Sequence, residues 1–412
     1  MLDPVERDAV FRHALDHFPA LGEDTAEGLD DLPFLDHRRA RAWYRPPADG
    51  SRCFSSTGTS GHPKRLAWAP EEDAWYVGEK QALFGPWLAG LSRAFVSLAV
   101  GHNAGSARQV LEGLGLEVHD AGLSPLDEQC SAIAAREPEV LYCSPSILAR
   151  LVDRLRDRSG APREGGRPGS IRRVITNGEV LFPSVRARAQ EFFGIGAAHL
   201  MDTYGSTEIG TIATTCPACG AYHFLDGLYP EPVPPEVALP SAPADGPDAV
   251  VLAVSSVKRT SFPVVRLVTY DVVQGLRRQV CGGVSRFTMD RVLGRCDDLL
   301  NYGELFSSFE LADLIRRRFP VARWYAFNPR NDLALVIEGV EPPDFRDLLR
   351  DRFPLHSRLS DLGLVDEPRI RFVRDFDAFA ARAGLAATVE GKEPRHVLTV
   401  TPDPSWFDEE VP

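Results

Sequence analysis

Lysine is scarce in this chain. Of 46 basic residues only four are lysines: Lys64, Lys80, Lys258 and Lys392. Surface charge is written with arginine, so a lysine that survives the bias marks a place suited to a compact ammonium. Positive charge is short overall, with a net −12 at pH 7. That balance argues against a nucleic-acid partner, whose binding rests on neutralising phosphates. The run Arg316-Arg317-Arg318 reads instead as the cationic end of a helix. No apolar run reaches the ~18 residues that a membrane helix needs, so no membrane partner is expected. The opening Met-Leu-Asp-Pro-Val-Glu-Arg-Asp is polar and acidic, unlike a signal peptide, and a cytoplasmic location is expected. Seven cysteines among 412 residues are too few, and odd in number, for a disulfide framework.

What is present is globular. A hydrophobic share of 44% with 25% charged residues fits a packed chain, and 412 residues call for two domains. From Ala94 short apolar runs alternate with helical patterns. Strands are expected at 94–100, 116–119, 139–143, 171–176 and 198–204, with helices at 107–113, 126–136, 146–157 and 183–193. This α/β alternation predicts a mostly parallel sheet flanked by helices, with ligands beyond the carboxyl ends of its strands. Residues 159–170 read as a surface loop, and the proline-rich stretch 229–248 as an extended connection, neither strand nor helix. Strands are expected again at 249–254 and 264–270. After Leu293 the pattern becomes helix, two strands, helix and strand, a small α+β unit with an antiparallel sheet. The expected division is a large domain over residues 1–294 and a small mobile one over 295–412.

Ten residues, Ser55-Ser56-Thr57-Gly58-Thr59-Ser60-Gly61-His62-Pro63-Lys64, combine tight-turning glycines, short hydroxyl donors and a lysine. Such a loop suits phosphate oxygens. It differs from the nucleoside-triphosphatase loop, in which lysine directly follows glycine and precedes a magnesium-binding hydroxyl. By itself it is also compatible with a polar turn that holds nothing.

Four further stretches follow in order. They are Asp202-Thr203-Tyr204-Gly205-Ser206-Thr207-Glu208, Phe262 to Asp271, Leu293-Gly294-Arg295-Cys296-Asp297-Asp298, and Glu390-Gly391-Lys392. In this order and spacing, with the opening loop, they resemble the adenylate-forming superfamily of acyl- and aryl-CoA ligases. Leu32-Pro33-Phe34, Tyr142-Cys143-Ser144-Pro145-Ser146 and Gly178-Glu179 make the chain most similar to phenylacetate–CoA ligase and its relatives.

The resemblance implies roles for these positions. Ser56, Thr57, Gly58, Thr59, Ser60, Gly61 and Lys64 would hold the triphosphate of ATP. Tyr204 would stack near adenine, and Thr207 and Glu208 would serve phosphate and Mg2+. Asp271 would accept from the ribose hydroxyls, Arg295 would support the nucleotide, and Asp297 would be the hinge of the small domain. Lys392 would reach the developing acyl-adenylate. The acid would lie between Tyr142, Gly178, Glu179 and the run Asp202 to Gly205, near His102. Its expected partners are a small carboxylic acid, aromatic by analogy with the subgroup, and coenzyme A. A carrier-protein phosphopantetheine is the alternative acceptor, and a homodimer is left open. Two departures stand out. The family pattern has Thr-Gly-Asp where this chain has Thr269-Tyr270-Asp271, and the spacing from Asp298 to Gly303 is one residue short.

Cys216-Pro217-Ala218-Cys219-Gly220 is a metal-knuckle pattern, with His223 close behind. Cys281, also followed by glycine, is a candidate fourth ligand. Three thiolates and an imidazole suit structural zinc, although reduced, unliganded thiols remain an alternative reading.

Overall fold

The computed structural model describes residues 2–22, 26–43, 51–55, 65–98, 102–122, 124–158, 170–234, 248–295, 299–301, 305–320, 322–327, 333–353, 357, 360, 367–385 and 397–398. The phosphate-loop candidates Ser56 to Lys64, the hinge Asp297 and Lys392 lie outside the described residues.

Helix α1 (Pro4–His17) starts at a capping box in which Asp3 accepts from the Val5 and Glu6 amides and Glu6 returns a bond to Asp3. A hairpin of β1 (Arg52–Ser55) and β2 (Arg65–Trp68) flanks the phosphate-loop candidate. The α/β body then runs β3 (Arg93–Ser97), β4 (Glu117–Asp120), β5 (Val140–Cys143), β6 (Arg173–Asn177) and β7 (Leu200–Ser206). These five strands pair in parallel, in the order β7-β6-β5-β3-β4. Their alternation splits the core in two. One face packs against α2 (Pro70–Leu88) and α3 (His102–Gly113). The other packs against α4 (Leu126–Arg136), α5 (Pro145–Arg158) and α6 (Pro183–Phe193).

The sheet does not stop there. Strands β8 (Gly210–Thr215), β9 (Tyr222–Phe224), β13 (Arg277–Cys281) and β14 (Val284–Met289) add an antiparallel flank, making nine strands. A second, fully antiparallel sheet joins β10 (Leu228–Pro232), β11 (Ala249–Ser256), β12 (Leu267–Gln274) and β15 (Arg291–Arg295). Here the reading of 229–248 as neither strand nor helix is corrected, because Leu228–Pro232 is a strand. Pro230 and Pro232 are tolerated because β10 is an edge strand, where a missing N–H leaves no ladder bond broken.

The C-terminal part has its own sheet. After β16 (Leu299–Asn301), β17 (Leu305–Ser307) and α7 (Ser308–Arg318) come β18 (Trp324–Phe327) and β19 (Ala334–Glu338). Helix α8 (Phe345–Arg352), β20 (Arg369–Val373), α9 (Phe376–Arg382) and β21 (Val397–Leu398) complete it. The expected antiparallel sheet is corrected to a mixed one. Only β18 and β19 are antiparallel, whereas β19–β20 and β18–β21 are parallel. The crossover through α8 explains this, since a helix between two strands lets the chain return in the same direction.

Not among the expected helices is α2, 19 residues long, which begins on Pro70 with Glu71, Glu72 and Asp73 in its first turn. Glu72 on this helix forms a fully buried ion pair with Arg259. Its carboxylate also accepts from the Thr260 and Ser261 amides at 2.5 and 2.7 Å and from the Ser261 hydroxyl at 2.6 Å. The guanidinium lies 3.8 Å over the Trp68 ring and donates to the Ala67 carbonyl at 3.2 Å. Burial alone would raise the Glu72 carboxyl, but Arg259 and these donors hold it below its ordinary value.

Removing one member of such a pair strands the other charge, so Arg259→Ala should lower unfolding stability by about 3–5 kcal/mol in urea titrations. A carboxyl lowered in the fold stabilises it above the unfolded value, and that contribution is lost as pH falls through the folded value. Acid should therefore weaken the wild type more than Arg259→Ala across that window. A variant with an unchanged midpoint and acid profile would refute this account.

Candidate functional site

Thr207, Glu208 and Ile209 form the turn between antiparallel β7 and β8. The turn is held from behind. Trp68 donates its indole N–H to the Thr207 carbonyl at 3.3 Å, and Arg259 donates Nε–H to the Glu208 carbonyl at 3.1 Å. The buried pair thus fixes the main chain under Glu208 relative to the β1–β2 hairpin. Gly205 is required by the same turn. A Cβ there would lie 2.3 Å from the Gly210 carbonyl oxygen of the paired strand.

Tyr204 and Asp271 meet directly, the tyrosine hydroxyl donating to the Asp271 carboxylate at 2.6 Å. The predicted adenine neighbour and the predicted ribose acid are thus one hydrogen-bonded unit, spanning the two sheets. Asp271 in turn faces Arg295 across the β12–β15 ladder, which brings the backbones of both nucleotide candidates to one place. The substitution of tyrosine in Thr269-Tyr270-Asp271 has a visible consequence. Tyr270 sits at φ 62°, in the left-handed region that glycine enters without strain. Thr269 steadies the bend, its hydroxyl donating to the Leu252 carbonyl at 2.8 Å and accepting from the Asp271 amide at 3.1 Å.

Two other candidates are engaged in holding the scaffold. Glu179 accepts from the Ser146 amide and hydroxyl, both at 2.9 Å, and so ties the turn after β6 to the start of α5. Gly178 before it takes φ 91°. Asp202 is buried and accepts from the Thr176 hydroxyl at 2.5 Å and from the Tyr222 hydroxyl. Burial pushes its carboxyl up, against the pull of those donors. Strand alternation sends Asp202 to the α4–α6 face and Thr203 to the α2–α3 face, so the run Asp202 to Gly205 does not line a single wall.

Cys216, Cys219, His223 and Cys281 converge, with their ligand atoms all within 4.8 Å of one another. Cys216 Sγ lies 3.9 Å from Cys281 Sγ, and Cys219 Sγ lies 3.1 Å from His223 Nε2. Tetrahedral zinc with Zn–S bonds of about 2.3 Å would set its sulfurs about 3.8 Å apart, so the donor set has the right size. The turn is built for it. Gly220, at φ 77°, donates to the Cys216 carbonyl at 2.8 Å, and Cys281 is followed by Gly282 and Gly283, both with positive φ. Burial would raise the Cys216 thiol, but the Cys219 and Ala218 amides together with the Cys219 and Cys281 side chains lower it, while neighbouring Cys219 and Cys216 hold the Cys281 thiol up at about 11.

Sequence reasoning missed Trp68, Glu72 and Arg259, which set the Glu208 turn, and it left Lys80 without a role. Rarity was the available signal for Lys80, and an acidic first turn after proline was the signal for Glu72. Gly205→Ala should clash with the partner strand and lower stability by about 2 kcal/mol or more, read as a urea midpoint. An unchanged midpoint would mean that β7 and β8 separate readily there.

Residues 112–243 match the family model described as AMP-binding enzyme. Fumarate–(S)-2,3-diaminopropanoate ligase of Enterobacter agglomerans is 26% identical, over 84% of this chain and 87% of its own. Phenylacetate-coenzyme A ligase of Thermus thermophilus is 23% identical over 72% and 67%. The fold is similar to that of 2-hydroxyisobutyryl-CoA ligase in the postadenylation state, with a TM-score of 0.70 at 15% identity over 98% of this chain and 89% of that one. Over residues 112–243 the chain is thus similar to AMP-binding enzymes, and its fold is that of the acyl-CoA ligase structures it resembles.

Proposed function

We propose that this protein activates a carboxylic acid with ATP as an acyl-adenylate and passes the acyl group to a thiol, that of coenzyme A. The observation that carries this reading is the joining of Tyr204 to Asp271 beside the braced Glu208 turn, within a chain that matches the AMP-binding family. A carboxylate is a poor electrophile at neutral pH until its oxygen becomes part of a leaving group. Its attack on the α-phosphorus brings two anions together, which cationic groups make tolerable.

In this reading the division at 294/295 separates a large nucleotide-binding domain from a small mobile one. The Asp271 carboxylate takes the ribose hydroxyls while Tyr204 stays oriented by it. Glu208 and Thr207 would hold magnesium, which neutralises phosphate charge when bound. Lys64 and the loop before it face the phosphates, and Lys392 brings its ammonium to the adenylate from the small domain. An adenylate exposed to water hydrolyses, so a small domain that closes over it serves the chemistry. The aromatic character of the acid is proposed from the phenylacetate ligase relative.

A second reading changes the acceptor. The diaminopropanoate ligase aligns with more of this chain than the phenylacetate ligase does, which favours an amine in place of the thiol. A carrier-protein phosphopantetheine is a third acceptor, and a non-catalytic nucleotide-binding protein is the reading that loses the chemistry altogether. The test is acid-dependent ATP–pyrophosphate exchange, followed by product mass spectrometry with coenzyme A, a carrier protein and amino-acid amines. Exchange should require an acid, and Lys392→Ala should abolish it while sparing transfer from a supplied acyl-adenylate. No exchange across a broad acid panel would leave only the non-catalytic reading.

The four-residue cluster is proposed to hold one structural zinc, which ties the β8–β9 turn to the β13–β14 hairpin and does no chemistry. Protein purified without chelator should contain about one zinc per chain, and Cys216→Ser with Cys281→Ser should remove it and lower the melting temperature. Metal-free protein with an unaltered melting curve would refute the assignment.

A further inference from the structure

Lys80 is one of the two rare lysines that the nucleotide chemistry does not use, and it is completely buried. It projects from α2 onto the face of the parallel sheet that also receives α3. Its Nζ donates to the hydroxyls of Tyr142 at 3.0 Å and Tyr76 at 3.3 Å. The rings of Tyr76, Phe84 and Tyr142 all stand 5.3 Å from the ammonium, measured to their centroids. An ammonium has three donors, and among the described residues the third finds no acceptor.

No carboxylate pairs with it among the described residues. Two other buried cations differ, since Arg259 faces Glu72 and Arg266 faces Glu231. Burial disfavours the charged amine, while Tyr142 and Tyr76 favour it and the net shift is upward. A buried cation held by phenols and aromatic faces alone is short of a counter-ion.

Its place in the fold says what would supply one. Tyr142 is the third of four residues in β5, at the carboxyl end of the parallel strands, where ligands of such sheets bind. Its hydroxyl is also bonded to the Thr203 side chain, and Thr203 directly precedes Tyr204, which joins Asp271. A chain of hydrogen bonds therefore runs from Lys80 to the residue beside the nucleotide candidates.

We propose that Lys80 is the specificity residue of the acid site, and that it selects a substrate with a second anionic group, a dicarboxylic acid. The carboxylate remote from the reacting one takes the free donor of Lys80, with Tyr76 and Tyr142 holding the ammonium in place. The compact ammonium matters here, because a guanidinium is larger and presents its donors in a fixed planar fork. This inference rests on the adenylation reading above and adds the class of acid.

The test is pyrophosphate exchange by the wild-type protein with matched acids: succinate against butyrate, fumarate against crotonate, and terephthalate against 4-methylbenzoate. At least one diacid should exceed its partner about 100-fold or more in kcat/KM, the scale of an unpaired buried charge. In Lys80→Met that ratio should fall about 100-fold, mainly through KM for the diacid, and Lys80→Arg should recover only part of it. Exchange in which every monoacid equals or beats its diacid overturns this inference and leaves the adenylation reading standing. So does a ratio in folded Lys80→Met that matches the wild type. If Lys80→Met fails to fold, the wild-type panel decides alone. No exchange with any acid overturns both.

Discussion

The site depends on one buried ion pair. Glu72 comes from a helix, Arg259 from the loop after β11, and between them they gather the end of β2, the Glu208 turn and the Thr260–Ser261 backbone. Each of these segments is short and irregular, and none has a core of its own. A charge pair with no water around it is intolerant of displacement, because any gap leaves a bare ion in a medium of low polarity. The aromatic face of Trp68 closes the remaining side of the guanidinium. The end of β2 and the turn that carries Glu208 are therefore set relative to each other by a constraint that hydrophobic packing alone would not impose.

The parts of the fold that were legible in the sequence are those with a repeating pattern. The runs around 140–143 and 173–177 are doubly buried parallel strands, and their apolar residues announce them. The helix Pro70–Leu88 escaped because its buried face includes Glu72, Asp73 and Lys80, charged residues that break the expected apolar stripe. The strand at Leu228–Pro232 escaped because its two prolines argue against a ladder, and only the edge position removes that objection. The mixed order of the C-terminal sheet was unreadable for another reason: strand direction is set by which neighbours pair, a property of distant residues.

The candidate site divides in the same way. Motif positions such as Tyr204, Glu208 and Asp271 are read from local order, and Tyr204 meets Asp271 in space. Asp202 and Glu179 sit in the same motifs, but their carboxylates are engaged by Thr176, Tyr222 and Ser146. A motif letter does not say which side of a strand it faces, and alternation along β7 separates Asp202 from Thr203. Tyr270 is a further case. The departure from glycine was visible in the sequence, whereas the positive φ it must adopt belongs to the corner of the strand. The chain there keeps a glycine conformation while filling it with a ring.

The hairpin that ends the large sheet has a role beyond carrying Cys281. A nine-stranded sheet whose last strand shows unpaired amides and carbonyls invites a second molecule to add a strand. Here that last strand, β13, is five residues long and stops at two consecutive glycines with left-handed backbone. Val280 near its end and Val284 at the start of β14 are exposed, so the apolar lure is present. Arg277 answers it by pairing with Asp290 at 2.8 Å, and Arg278 reaches across to Glu6 on helix α1. The first helix of the chain thus stands beside the last strand of the sheet, and charge on a short, abruptly turned border discourages the molecule from growing into a fibre of its own copies.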